Sequence, residues 1–208
     1  MPYNKDILKW GGMGMSVRMA TRKDIPAILD IYRPYVETTC ISFEYETPSL
    51  TEFTQRFDSY TQQFPWLVWE EDGQILGYAY GSRPWSRSAY QWCAEASVYV
   101  AEQAHRRGIG KALYRALEQL LFTQGYRVIY CLVTTDNPAS IAFHEAMGYR
   151  ITATLPGCGY KMGKELGVVY LEKRQNFVDF PIKPPVPVNA IVNNDRNLGE
   201  LLAKITLS

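Results

Sequence analysis

A mixed α/β fold is predicted by three features of this chain. Short runs of β-branched and aromatic residues recur along it, apolar residues at helical spacing lie between them, and turn residues mark the junctions. Residues 17–20 read as a first strand. Thr21-Arg22-Lys23-Asp24 opens a helix in the manner of a capping box, and Ile25, Ile28, Leu29 and Tyr32 form its apolar face. A second helix begins near Ser49. Residues 66–70 and 74–81 alternate in polarity around Asp72-Gly73, which predicts a hairpin with a tight turn. Residues 91–100 form the next strand. A helix over 108–123 buries Ile109, Leu113, Leu117 and Leu120, and residues 127–133 return as a β-branched strand.

The ends of the chain read differently. Residues 1–15 contain Gly11, Gly12 and Gly14 without periodicity, which predicts a flexible leader outside the fold. Residues 16–178 are expected to form one domain, because 208 residues at 47% hydrophobic composition suffice for a single substantial core. Residues 179–208 are a tail. Pro181, Pro184, Pro185 and Pro187 predict an extended path over a surface, and Leu198, Leu201, Leu202 and Ile205 form a short apolar stripe. A helix that short is unstable alone in water, so the stripe is expected to dock.

Charge and cysteine content narrow the function classes. Lysine plus arginine (22) nearly cancels aspartate plus glutamate (21), so no broad basic surface for nucleic acid or an anionic membrane is expected, and a small-molecule substrate is favoured. Cys40, Cys93, Cys131 and Cys158 are scattered without C-x-x-C pairing or neighbouring histidines, which argues against a disulfide framework and a metal site. No segment approaches the roughly 20 apolar residues that span a bilayer, and the cytoplasm is the expected compartment.

The most informative segment runs from Glu95 to Leu113. A strand ends at Val100, a glycine-rich turn follows, and Gly108-Ile109-Gly110-Lys111 opens a helix. Closely spaced glycines let backbone N–H groups converge, and the helix start adds its positive dipole end, so this turn can cradle a diphosphate. A Walker A loop is excluded because His105 stands where its first glycine would be and Ala112 follows Lys111. A dinucleotide fingerprint is excluded because Leu113 replaces the third glycine.

With His105-Arg106-Arg107-Gly108-Ile109-Gly110 at a helix start and Asn137-Pro138 to Gly148-Tyr149 downstream, the chain resembles the GNAT superfamily of acetyl-CoA-dependent N-acetyltransferases. Within it, Tyr35-Val36-Glu37-Thr38-Thr39, Ser42-Phe43-Glu44, Pro65-Trp66-Leu67-Val68, Pro84-Trp85, Tyr90-Gln91-Trp92 and Gly159-Tyr160-Lys161 are similar to phosphinothricin N-acetyltransferases. That group usually carries Trp-His-Asp where this chain has Glu165, Leu166 and Gly167.

The resemblance implies a central mixed, largely antiparallel sheet flanked by helices and splayed at the acetyl-CoA site. It implies acetyl transfer to the amine of a small amino-acid-like molecule, without a metal, in a homodimer. Val98, Tyr99 and Val100 would offer backbone groups to pantetheine, and His105, Arg106, Arg107, Gly108, Ile109, Gly110 and Lys111 would hold the diphosphate. Asn137 and Ser140 would also reach the cofactor, and serve equally well as helix-capping groups. Glu95 matches the family's general base, the alternative being a carboxylate in a structural hydrogen-bond network. His144 stands where many members carry the tyrosine that protonates the leaving thiolate, the alternative being a packed helix residue. Phe43, Arg87, Tyr90 and Tyr114 would surround the amine substrate, although tyrosines there also suit a core. Acetylation of a protein amine or polyamine, and a non-catalytic acyl-CoA-binding module, remain open at this point.

Overall fold

The computed structural model describes residues 9–10, 15–175 and 181–192. They build an eight-stranded sheet. Its strands are β1 (Lys9–Trp10), β2 (Met15–Met19), β3 (Trp66–Glu71), β4 (Gln74–Ser82), β5 (Cys93–Val100), β6 (Val128–Thr134), β7 (Arg150–Lys161) and β8 (Lys164–Arg174). Their spatial order is β1-β2-β3-β4-β5-β6-β8-β7. Neighbouring strands are antiparallel except β5 and β6, which run parallel. Parallel strands need a crossover, and α3 (Ile109–Gln124) supplies it. The other helices are α1 (Ile25–Glu37), α2 (Leu50–Tyr60), α4 (Pro138–Ala146) and α5 (Val188–Val192). The mixed, largely antiparallel sheet expected from the sequence is present.

β4 shows how side-chain size assigns the two faces. Tyr78 and Tyr80 point to the side of Trp66 and Tyr99, where Tyr32 of α1 meets Tyr99 and Phe53 of α2 meets Trp66. Gly77, Ala79 and Gly81 alternate to the other side, under α3. A Cβ on Gly77 would fall 3.1 Å from both Ile109 Cγ2 and Leu113 Cδ1, and one on Gly81 would fall 3.1 Å from Leu121 Cδ2. Small residues therefore let α3 settle directly on the strands, with Leu113, Leu117 and Leu120 fully buried.

Two junctions hold the layers in place. At the start of α1, the Arg18 guanidinium forks onto Asp24 at 2.7 Å and reaches Glu70 at 2.6 Å, while Asp24 also accepts from the Thr21 N–H. At the start of α2, Ser49 and Glu52 form a reciprocal capping box.

Two sequence expectations change, and a third gains its contacts. Lys9–Trp10, assigned to the leader, pair with Met15 and Ser16 and add a short edge strand, because backbone pairing needs no side-chain periodicity. β5 starts at Cys93 rather than Gln91, since Ser88–Tyr90 coil into a single 3-10 turn whose capping N–H is that of Gln91. The proline-rich segment from Pro181 does run extended and is held by the body of the fold. Trp92 Nε1 donates to Lys183 O at 3.0 Å, Val186 N donates to Gln124 O at 2.9 Å, and Val188 is buried in α5. Residues 1–8 and 11–14 of the expected leader and the stripe at Leu198, Leu201, Leu202 and Ile205 lie outside the described residues.

Candidate active site

β5 and β6 are paired at Cys93 with Val128, Ala94 with Ile129 and Glu95 with Tyr130, and no further. Beyond Glu95, β5 stays with β4 as far as the Val100–Gly77 pair, while β6 stays with β8 as far as Thr134–Val168. Each strand follows its outer neighbour, so a wedge opens between the two inner edges. Glu95 sits at its apex. Its side chain is half-buried, and desolvation pushes its carboxyl pKa above the usual glutamate value. Among the described residues nothing opposes that shift with a hydrogen bond or ion pair.

Register partners share a sheet face, so Tyr130 lies beside Glu95 on the same side. Trp85 packs its ring edge-on to Tyr130 at 5.2 Å, and Tyr90 packs on Trp85 at 5.0 Å. Arg87 lies between them in sequence and is exposed, and its carbonyl receives the Tyr90 N–H. Thus Trp85 and Tyr90 form an aromatic wall beside the fork, and Arg87 lies in the exposed segment that joins them.

The opposite end of β5 carries the glycine turn. Val100 O accepts from the Tyr35 hydroxyl at 2.6 Å and from His105 Nε2 at 3.0 Å, so that nitrogen carries the proton. His105 therefore closes the loop back onto its own strand. Arg106 has φ 61° and Gly108 has φ 83°, and this alternation turns successive N–H groups toward one side. Gly108 caps α3 without a side-chain hydrogen bond, leaving the first-turn N–H groups of Ile109, Gly110 and Lys111 with no capping side chain. A Cβ on Gly108 would meet nothing within 4 Å, so the cradle is open. Arg107 is tied to Glu71 at 2.7 Å, which leaves the exposed Arg106 and Lys111 as the nearby cations. Of the β5 residues, Tyr99 turns its ring into the core against Tyr78, Tyr32 and Tyr35, and only its backbone can face the wedge.

Two expected site residues occupy enclosed positions. Tyr114, which the resemblance would set against the substrate, is completely buried. Its hydroxyl lies 2.6 Å from Cys131 Sγ and 3.1 Å from His144 Nε2. His144 is itself buried at 4% exposure, with Nδ1 2.7 Å from Ser140 O. A carbonyl can only accept, so Nδ1 carries a hydrogen. Burial holds the imidazole pKa below its usual value, leaving Nε2 as acceptor for the Tyr114 O–H, whose oxygen in turn accepts from the Cys131 thiol. His144 is thus a link in an enclosed chain rather than an open proton donor. The apolar spacing of α3 concerns Ile109, Leu113, Leu117 and Leu120, and does not say what the Tyr114 ring meets.

Asn137 caps α4, its side chain accepting from Ser140 N at 3.1 Å. Phe43 is 38% exposed and lies against β7, where a Cβ on Gly159 would fall 2.4 Å from its ring. The sequence reading missed Tyr130 and Tyr35, and it assigned no role to Trp85. No local signal marks the first two, because their importance comes from register and from the return of α1 to the end of β5.

A cavity of about 1580 Å³ lies along α1 and is lined by Arg18, Asp24, Tyr35, Ile41, Glu70 and His105. Neither Glu95 nor Tyr130 lines it, so this cavity and the fork are separate features of the fold. Among the described residues no cluster of histidine, cysteine, aspartate and glutamate could hold a metal ion.

Comparison with known proteins agrees with this fold. Residues 17–168 match the family model described as acetyltransferase (GNAT) domain. The chain is 34% identical over 179 residues to a phosphinothricin N-acetyltransferase of Streptomyces viridochromogenes, covering 85% of this chain and 94% of that protein. It is 32% identical over 164 residues to an L-methionine sulfoximine/L-methionine sulfone acetyltransferase of Pseudomonas aeruginosa, covering 77% and 94%. Among solved structures, a phosphinothricin acetyltransferase from Sinorhizobium meliloti in complex with AcCoA superposes with a TM-score of 0.78 at 28% identity, covering 85% of this chain and 99% of that one. The forked sheet, the glycine cradle and these matches together show that this chain belongs to the GNAT acetyltransferase family.

Proposed function

We propose that the chain transfers the acetyl group of acetyl-CoA to the α-amine of a small amino-acid-like molecule, by direct attack within a ternary complex. The observation that carries this reading is Glu95, a desolvated and unopposed carboxylate at the apex of the β5–β6 fork. The residues fit the cofactor, because the uncapped start of α3 and the open space at Gly108 suit a diphosphate. When bound, acetyl-CoA supplies an activated thioester. Backbone groups of Val98, Tyr99 and Val100 at the unpaired edge of β5 orient the pantetheine arm, and Asn137 and Ser140 at the start of α4 contribute from the far side. Arg106 and Lys111 add charge beside the cradle.

Glu95 takes the proton from the substrate ammonium, directly or through one water, and its raised pKa makes it a better base than an ordinary carboxylate. The exposed Arg87, beside Tyr90 and Trp85, offers a donor fork for the substrate carboxylate, which favours an amino acid over a polyamine. Phe43 supplies an apolar wall. At the position where the phosphinothricin enzymes carry Trp-His-Asp, Leu166 is buried and a Cβ on Gly167 would fall 3.0 Å from Leu155 O, so the pocket is shaped without those side chains.

Two further features belong to this reading. Leu132 and Leu155 are 41% and 43% exposed on the Glu95 face of the sheet, which supports burial against a second copy in a homodimer. Four free cysteines support a reducing compartment, the cytoplasm, and no described helix is long and apolar enough to cross a membrane.

The test is a panel of amino acids, amino-acid analogues, polyamines and peptides, read by release of free CoA thiol. Acetylation confined to polyamines or peptides, or CoA binding without turnover on any amine, would overturn the reading.

A further inference from the structure

The segment between α1 and α2 carries Phe43 and has no helix or strand of its own. Its position is set from outside, by the last three residues of β7. Gly159 lies under the Phe43 ring, close enough that a Cβ would collide with it at 2.4 Å. The Tyr45 hydroxyl donates to Tyr160 O. Lys161 then enters the gap between α1 and this segment, and its ammonium donates to Val36 O at 2.6 Å and to Ser42 O at 2.7 Å.

Lys161 is an unusual residue to find there. It is 3% exposed, and among the described residues no carboxylate pairs with it. Burial pushes its pKa below the usual lysine value. Val36 belongs to the last turn of α1, where unpaired carbonyls and the negative dipole end favour a cation. Ser42 is buried as well, with its hydroxyl 2.7 Å from that of Tyr32. A buried lysine is destabilising unless its donors are matched, and an apolar side chain would fill the same gap without that desolvation penalty. What the ammonium does and a hydrocarbon cannot is to hold the Ser42 carbonyl. That fixes the peptide plane entering Phe43, and so the direction in which the ring leaves the backbone.

We propose that Lys161 is a positioning residue for the amine pocket: by fastening the Ser42 carbonyl to the end of α1, it seats Phe43 on Gly159 as the substrate-facing wall. This rests on the reading that Phe43 faces the amine. It gives the β7–β8 hairpin a functional duty, since its turn at Met162 and Gly163 places Lys161 where α1 ends.

The test is a double-mutant cycle with Lys161→Met, Phe43→Ala and the combined variant, using an amine found in the panel. Melting temperature and calorimetric acetyl-CoA affinity are measured alongside. Lys161→Met is expected to raise KM for the amine about tenfold, with kcat and acetyl-CoA affinity within about threefold of the parent. Phe43→Ala raises KM similarly, and the combined variant is no worse than the more affected single one, because both act on the same wall. Lys161→Gln, which keeps a donor, recovers part of the loss, and it carries the test if the methionine variant does not fold. If Lys161→Met and Lys161→Gln leave the amine KM unchanged while Phe43→Ala raises it, the proposal fails and the Phe43 reading stands. Effects that multiply in the combined variant also overturn it. If Phe43→Ala alone leaves KM unchanged, the Phe43 reading itself is lost.

Discussion

Glu95 and Tyr130 are the last two residues at which β5 and β6 face each other in register, so the carboxylate and the opening of the fork coincide. A base at this position is on a strand held by β4 on one side and is exposed to the wedge on the other. Its geometry is therefore rigid where a loop-borne base would be mobile.

Replacing Glu95 by Gln removes basicity and little else. Turnover at neutral pH should fall by roughly 10²–10⁴-fold, with acetyl-CoA affinity retained and partial recovery at high pH, where more amine arrives deprotonated. Turnover measured against pH for both proteins decides it. Near-normal turnover with an unchanged profile would make Glu95 structural.

The same substitution should act on stability in the opposite direction. The folded-state pKa of Glu95 is raised from the usual 4.5, so the ionised form is the disfavoured one in the native state. Native stability is undiminished below the usual value and is lost as pH climbs from there through the raised one. Glu95→Gln should therefore melt at or above the parent temperature at pH 7, with the difference vanishing in acid. A variant less stable at pH 7 than the parent would show that Glu95 makes a stabilising contact.

Gly110 and Gly108 separate cofactor binding from backbone strain. A Cβ at Gly110 would sit 3.6 Å from Val100 Cγ2, an ordinary contact, so Gly110→Glu should fold and still weaken acetyl-CoA by more than about tenfold, through charge and bulk at the cradle. Gly108 has φ 83°, and Gly108→Ala should cost about 1–2 kcal/mol of stability. Calorimetry and thermal melts distinguish the two. Unchanged affinity in Gly110→Glu would remove the turn from the cofactor site.

Tyr114 tests the enclosed chain. Tyr114→Phe strands His144 Nε2 and deprives the Cys131 thiol of its acceptor, so stability should drop by about 1–3 kcal/mol while KM for the amine stays level. A raised KM with an unchanged melting temperature would return Tyr114 to the substrate pocket.

The segment from Pro181 should behave as part of the domain. Gln124 Nε2 donates to Gln63 O at 2.7 Å and to Val186 O at 2.8 Å, and Val188 is 1% exposed. Val188→Ala should cost about 1–3 kcal/mol, and removing residues 181–208 should lower the melting temperature further. No change in either would mean the segment contributes nothing to stability.

Local chemistry made much of this protein legible from its residues. The capping box at Thr21, the helix start near Ser49, the Asp72-Gly73 hairpin and the glycine turn before α3 are settled by neighbours a few positions apart, and sequence spacing reports such neighbours directly. Glu95 could be singled out because it precedes that turn on one continuous strand. Other features depended on which edge or face met which, and that is decided only when the layers pack. The fork exists because β5 and β6 each stay with their outer neighbours. Tyr114 and His144 are enclosed because α3 and α4 turn those positions toward Cys131 on β6. Lys161 meets Val36 and Ser42 across more than a hundred residues of chain, and only the folded sheet brings that ammonium to the end of α1.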